Sequence, residues 1–391
     1  MFELSDRLKA LPPYLFAEID RMKAEKIKKG IKVIDFGVGD PDLPTPSHVV
    51  EAVCNAAKKV ENQKYPTYEG MQEFRNAVAA YYLRRKGVKL EADEIISLIG
   101  SKEGIAHLPF AFLNGGDYAI VPDPGYPVYY GATVLAGGKP FPIKLEEEKG
   151  FLPDFDKIPP EIARKAKIMF LNYPNNPTSA VCGKEFIKEA VDFCHDYRII
   201  LAHDAAYTDV YFEERPLSFL EIDSEFEVTL EFNSLSKTYN MTGWRIAFAA
   251  GNKDALGGLL KVKTNVDSGV FQAIQEAAIA ALLGDDGVIE ENNKVYKERR
   301  DLLVEGLRKA GIEVYVPKAT FYIWAKVPSE FDSMSFAKKL LDEAGILATP
   351  GVGFGDGGEG FIRFALTKDI PVIKEAIERL EKLEKLEKFE G

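Results

Sequence analysis

Cysteine, histidine and long apolar runs are what this 391-residue chain has least of, and each shortage removes a class of function. The three cysteines, Cys54, Cys182 and Cys194, are an odd number without C-x-x-C spacing, which argues against a disulfide framework and implies a reducing compartment. Four histidines are too few and too scattered for a metal centre. His195 and His203 stand at an expected helix end and strand end with no matching carboxylate or thiolate cluster, so structural or surface roles are expected and no metal is. No stretch of about 18 apolar residues occurs. The opening MFELSDRLKALPPYLF carries charges and two prolines where a secretory segment needs an apolar core, so no membrane association and a cytoplasmic location are expected. Positive charge is the minority sign, with 50 Lys+Arg against 61 Asp+Glu and a net charge of -11. Such a chain lacks the field that neutralises phosphates along a duplex, and nucleic acid is not expected as a partner.

Two catalytic signatures are missing as well. Without a G-x-x-x-x-G-K-[ST] loop or a G-x-S-x-G elbow, nucleotide hydrolysis and serine-hydrolase chemistry lose their simplest support. A G-x-G-x-x-G string does occur at Gly353, Gly355 and Gly358, but the strand-like FIRFAL follows it where a dinucleotide fingerprint would open a helix. A turn is expected there.

The chain is 46% hydrophobic, 28% charged and 11% aromatic, enough apolar material for a sizeable core. Its length suggests about two to three domains. From Glu94 onward short β-rich runs, Ile95–Ile99, Tyr118–Val121, Lys139–Ile143, Ile168–Leu171, Ile199–Ala202, Val228–Ser234 and Ile246–Gly251, alternate with helical segments. This pattern predicts an α/β fold, a mainly parallel sheet covered by helices on both faces. Helical periodicity occupies about Asp254 to Leu283 and Gly287 to Ala310. Strands at Glu313–Val316, Phe321–Val327 and Gly360–Ala365 around a helix at Ser335–Ala344 then predict a smaller α+β domain. The expected division is 1–45, an arm and part of the small domain; 46–285, the large domain; and 286–391, the C-terminal small domain. A stripe of Ile373, Ile377, Leu380, Leu383, Leu386 and Phe389 predicts a last helix packed on its own domain.

The strongest chemical signal is SLSKTYNMTGWR, Ser234 to Arg245, directly after an apolar strand. A lysine just past a buried strand, flanked by hydroxyls and followed by an arginine, suits a cofactor that is bound covalently through an amine and held by a phosphate. Lys237 is the amine; Ser234, Ser236 and Arg245 are the phosphate donors. Asp204, with Tyr207 beyond it, puts a carboxylate at a second strand end, and NYPNNPT, Asn172 to Thr178, presents an amide after a third. Gly100-Ser101-Lys102-Glu103 opens a helix after a fourth strand, where unpaired N–H groups bind anions. These strand ends are expected to meet at the carboxyl edge of one sheet, where open α/β proteins bind ligands.

Together these segments resemble the pyridoxal-phosphate-dependent aminotransferases of fold type I, class I/II, from Gly39 to Arg363. The resemblance implies a seven-stranded-type mixed sheet, pyridoxal phosphate, amino-acid and 2-oxo acid substrates, and a homodimer with shared active sites. By matching position, Lys237 is the cofactor lysine and proton carrier, and Asp204 is the partner of the pyridinium nitrogen. Asn176 and Tyr207 donate to the phenolic oxygen, and Tyr126 stacks on the ring. Ser101, Lys102, Ser234, Ser236 and Arg245 form the phosphate cup, which Tyr65 reaches from the neighbouring subunit, while Asn265 makes another cross-subunit contact to the cofactor site. Arg363 and Gly39 hold the substrate α-carboxylate, with Tyr126, Asn176 and Asn265 also lining the substrate. LPPYLF, GVGDPDLPTP, GSKEGIAH and KTNVDSG resemble the subgroup whose amino donor is LL-2,6-diaminopimelate, in which Tyr14 and Lys102 would touch the distal end. Ser179 and Ala247 stand where the wider family has glycine, changes expected to leave the cofactor site intact. Rival readings are an aminotransferase for aspartate, alanine or an aromatic amino acid, and a carbon–sulfur β-lyase or racemase using the same cofactor.

Overall fold

The computed structural model describes residues 2–12 and 15–383, so Tyr14, Leu386 and Phe389 lie outside the described residues. A short strand, β1 (Ile34–Asp35), precedes the main sheet. That sheet contains β2 (Ile95–Leu98), β3 (Tyr118–Asp123), β4 (Lys139–Lys144), β5 (Ala166–Leu171), β6 (Ile200–Asp204), β7 (Thr229–Ser234) and β8 (Ala247–Gly251). Their order is β2-β8-β7-β6-β5-β3-β4, parallel throughout except for β8, which runs against both neighbours. The interior strands β7 and β8 are buried at every residue, as strands covered on both faces are. On one face pack the helices Ser101–Phe112, Val128–Leu135 and Lys253–Val266; clusters on the helices Ser47–Ala56, Gln72–Lys86 and Gln272–Leu282 and on Lys184–Tyr197 complete the core.

A second sheet holds β9 (Val314–Tyr315), β10 (Tyr322–Lys326), β12 (Thr349–Pro350) and β13 (Phe361–Ala365) in the order β12-β13-β10-β9, while β11 (Ile346–Leu347) pairs in parallel with β1. The helices Gly287–Lys309, Ser333–Lys339 and Ile370–Leu380 share its core. The stretch Asp254 to Leu283 is two helices, Lys253–Val266 and Gln272–Leu282. Asp267 Oδ1 accepts from the Gly269 backbone N–H at 2.7 Å, and Gly269 adopts a φ of +88°, a turn that ends the first helix.

The Gly353–Gly358 string forms two single-turn 3-10 segments, Gly351–Phe354 and Asp356–Gly358, and no helix start. It seats against the loop after β3: Gly357 N–H donates to Asp123 Oδ1 at 2.8 Å, and Gly125 N–H to the Phe354 carbonyl at 2.8 Å. Ser179 takes a φ of +62°. Its hydroxyl lies 2.8 Å from both Thr320 Oγ1 and the Tyr322 carbonyl, contacts that hold a left-handed turn glycine would enter freely.

Candidate active site

Because β8 runs against the rest, the edge bearing the carboxyl ends of β2, β3, β5, β6 and β7 also bears the start of β8. Arg245, two residues before β8, therefore reaches Gly100, two residues after β2. A Cβ on Gly100 would lie 2.1 Å from Arg245 Nη2, and Gly100 has a φ of +109°; close approach and torsion both demand glycine. Leu98 and Ser234 are the two register partners of Ala247, so the ends of β2 and β7 flank the same point. The Ser234 hydroxyl accepts from the Ser236 N–H at 3.1 Å. Gly100, Ser101, Ser234, Ser236 and Arg245 thus gather at neighbouring strand ends, beside the first turn of the helix Ser101–Phe112, whose leading N–H groups have no intrahelical acceptor. That set of donors suits a phosphate dianion.

Lys237 lies on the single helical turn Leu235–Thr238, and its Nζ donates to the Gly39 carbonyl at 3.0 Å. Burial, aided by the positive charges of Arg363 and Arg245, lowers its pKa to about 8 against the pull of Asp40 and Asp204. An ammonium so placed releases its proton near pH 8. At the end of β6, Asp204 is buried, which raises its pKa, while a hydrogen bond from the Tyr129 hydroxyl at 2.8 Å favours the carboxylate. The Asn172 amide ties the Asp204 carbonyl at 2.7 Å, and Asn172 Oδ1 accepts from the Asn176 N–H at 2.7 Å.

Arg363, on β13, is 4% exposed. It donates from Nη1 to Asn176 Oδ1 at 2.6 Å and from Nη2 to the Gly37 carbonyl at 2.8 Å. Its guanidinium carbon lies 4.1 Å from the ring centre of Tyr322 and 4.6 Å from that of Phe354, a planar cation between two aromatic faces. Tyr322 meets Tyr207, hydroxyl to hydroxyl, at 3.1 Å. A Cβ on Gly39 would lie 2.0 Å from the Tyr322 hydroxyl, so this glycine makes room for a tyrosine.

Lys237, Asp204, Tyr207, Asn176, Gly39 and Arg363 are thus linked by contacts running from the first sheet to the second. Lys102 is exposed, its ammonium 5.9 Å from the Tyr126 ring centre. Tyr65 is 88% exposed, and Asn265 is exposed with its amide turned back to the Lys261 carbonyl at 2.8 Å. Sequence reasoning missed Tyr129, Tyr322 and Phe354. Tyr129 follows Tyr126 by about one helical turn in PDPGYPVYY, a spacing that could have drawn attention to it.

The family model "Aminotransferase class I and II" matches residues 31–380. The chain belongs to the class I and II aminotransferases. It is 54% identical to the LL-diaminopimelate aminotransferases of Syntrophobacter fumaroxidans and Aquifex aeolicus, in each case over 97% of this chain and 98% of the relative. Among solved structures, the substrate-bound BacF structure from Bacillus subtilis superposes with a TM-score of 0.94 at 38% identity, covering 98% of both chains. A Thermus thermophilus aspartate aminotransferase mutant gives 0.91 at 29% identity, covering 97% of this chain and 99% of that one. The cofactor of this aminotransferase family is pyridoxal phosphate, and the residues fit it. The close approach of the Arg245 guanidinium to Gly100, the buried Asp204 carboxylate and an amine lowered to about 8 suit its phosphate, ring nitrogen and aldehyde.

Proposed function

We propose that this aminotransferase moves an amino group from LL-2,6-diaminopimelate to 2-oxoglutarate, giving glutamate and an oxo acid that cyclises to tetrahydrodipicolinate, a lysine-biosynthetic step. The observation that carries this reading is 54% identity over 97% of the chain to enzymes of that name. When bound, pyridoxal phosphate withdraws electrons from the bonds at the substrate Cα. The rest is the work of this chain's side chains. Ser101, Lys102, Ser234, Ser236 and Arg245 hold the phosphate, Tyr126 stacks on the ring, and Asn176 and Tyr207 donate to the phenolic oxygen. Asp204, its carboxylate favoured by the Tyr129 hydroxyl, pairs with the ring nitrogen. Arg363 takes the substrate α-carboxylate in a planar two-pronged grip, with the Gly39 backbone beside it, and so fixes which Cα bond faces Lys237. The Lys237 amine, half uncharged at pH 8, would carry the proton between the substrate Cα and the carbon of the cofactor's aldehyde. Lys102 is the cation for the distal carboxylate.

The division into 1–45 with 286–391 and 46–285 puts Arg363 and Lys237 on different units that meet at the site. Tyr65 and Asn265 are both on the surface; Tyr65 reaches the phosphate of a second subunit in a homodimer and Asn265 makes another contact across the same boundary, and the enzyme works in the cytoplasm. Among the described residues no helix is long and apolar enough to cross a membrane. Steady-state rates with LL-diaminopimelate, aspartate, alanine and phenylalanine against 2-oxoglutarate test the reading. Diaminopimelate is expected to be the fastest donor. Fast turnover of another donor without it, or pyruvate and ammonia released without an oxo acid, would overturn it.

A further inference from the structure

Lys263, on the helix Lys253–Val266, has a side chain 0% exposed and no place in the mechanism above. Its ammonium lies 3.4 Å from Glu103 Oε2 and 3.0 and 2.9 Å from the two oxygens of Asp267. Glu103 stands in the first turn of the helix Ser101–Phe112, 6% exposed, accepting from the Ile99 N–H at 3.0 Å and lying 3.1 Å from His107 Nδ1. Its carboxylate thereby ties the helix start back to the end of β2. The same carboxylate sits at the positive helix end that receives the cofactor phosphate, so left uncompensated it opposes that dianion. Asp267 fixes the turn at Gly269, and a Cβ on Gly269 would lie 2.9 Å from the Thr67 carbonyl, two residues beyond Tyr65. One ammonium therefore neutralises a carboxylate beside the phosphate helix. Through Asp267 it also braces the segment that carries Asn265 and abuts the Tyr65 loop.

We infer that Lys263 and Glu103 are positioning residues for the phosphate end of the cofactor, Glu103 closing the strand–helix junction and Lys263 cancelling the charge this closure introduces. The inference rests on the assignment of the phosphate to Ser101, Ser234, Ser236 and Arg245. Cofactor-stripped protein titrated separately with pyridoxal phosphate and with pyridoxal, followed by bound-cofactor absorbance, separates the phosphate from the ring. Lys263→Met should weaken pyridoxal phosphate about tenfold or more and leave pyridoxal nearly unchanged. Glu103→Gln keeps an acceptor for Ile99 and should tighten pyridoxal phosphate about threefold, an effect that fades with added salt. The double variant Lys263→Met/Glu103→Gln should recover most of the loss. Equal weakening of both ligands in Lys263→Met, or weaker pyridoxal phosphate binding in Glu103→Gln, overturns the inference. If Lys263→Met does not fold, the sign of the Glu103→Gln effect decides. Wild-type protein that binds pyridoxal no more weakly than pyridoxal phosphate would instead overturn the phosphate assignment itself.

Discussion

At Arg363 two rings and two acceptors fix a cation in a plane, and its Nε is buried with no hydrogen-bond partner among the described residues. A lysine would keep the charge and lose both the plane and the fork. Arg363→Lys should raise KM for the amino donor roughly 30- to 100-fold, ~2–3 kcal/mol, with the folded protein intact; a change in kcat alone would contradict a carboxylate grip. Tyr129→Phe removes the phenol whose hydrogen bond favours the Asp204 carboxylate against its burial, so kcat should fall about tenfold with little change in KM. Lys237 has a stability signature of its own in cofactor-free protein. Its folded value of about 8 lies below the ordinary 10.5, so between those pH values the unfolded chain holds a proton that the folded chain has released. Stability then rises with pH through that window, while below pH 8 the buried charge costs about 3 kcal/mol. Lys237→Met should be the more stable protein at pH 7, its advantage gone by about pH 10.5; parallel denaturation midpoints across that range would refute this.

Between elements, β6 and β7 carry a buried polar pair in register, His203 opposite Glu231. Glu231 is buried, yet hydrogen bonds from His203 and Tyr82, with Lys86 nearby, hold its pKa down to about 2. It is a depressed carboxylate, so its contribution is present above pH 4.5 and lost as pH falls toward 2. Glu231→Gln should cost roughly 2–4 kcal/mol at pH 7 by chemical denaturation, and the deficit should shrink at acid pH. The strands of the main sheet were legible because each is a short apolar run between turns, and the strand-end motifs because their chemistry is local. Tyr129 and Tyr322 were not, because a tyrosine in an apolar stretch reads as core. What singles out Tyr129 is Asp204, 75 positions away, and what singles out Tyr322 is Tyr207, 115 positions away. At two residues each, β11 and β12 are too short for an alternating pattern to register.

Across the whole molecule, Tyr65, Tyr68, Val266 and Phe271 are 88%, 41%, 61% and 45% exposed. They sit on the two segments that Gly269 brings together, and large apolar side chains grouped in this way suit a second subunit. Mixing the inactive variants Lys237→Ala and Tyr65→Ala under exchange conditions tests this. Each hybrid dimer would have one site with both defects and one with neither, so about a quarter of all sites should be restored. No recovery, with hybrids demonstrated by mass, would mean that Tyr65 serves its own chain.

The pairing of β1 with β11 joins Ile34 to Ile346. On the ribosome the first of these emerges roughly 310 residues ahead of the second, a wait of about 15–60 s at ordinary elongation rates of about 5–20 residues per second. Through that interval the apolar side chains Ile19, Met22 and Val33 have no Leu341 or Leu347 to cover them, so the early segment is open to a chaperone. A nascent chain halted before residue 346 would already carry Lys237 but not Arg363, holding the amine proposed for the chemistry without the grip proposed to choose what it acts on.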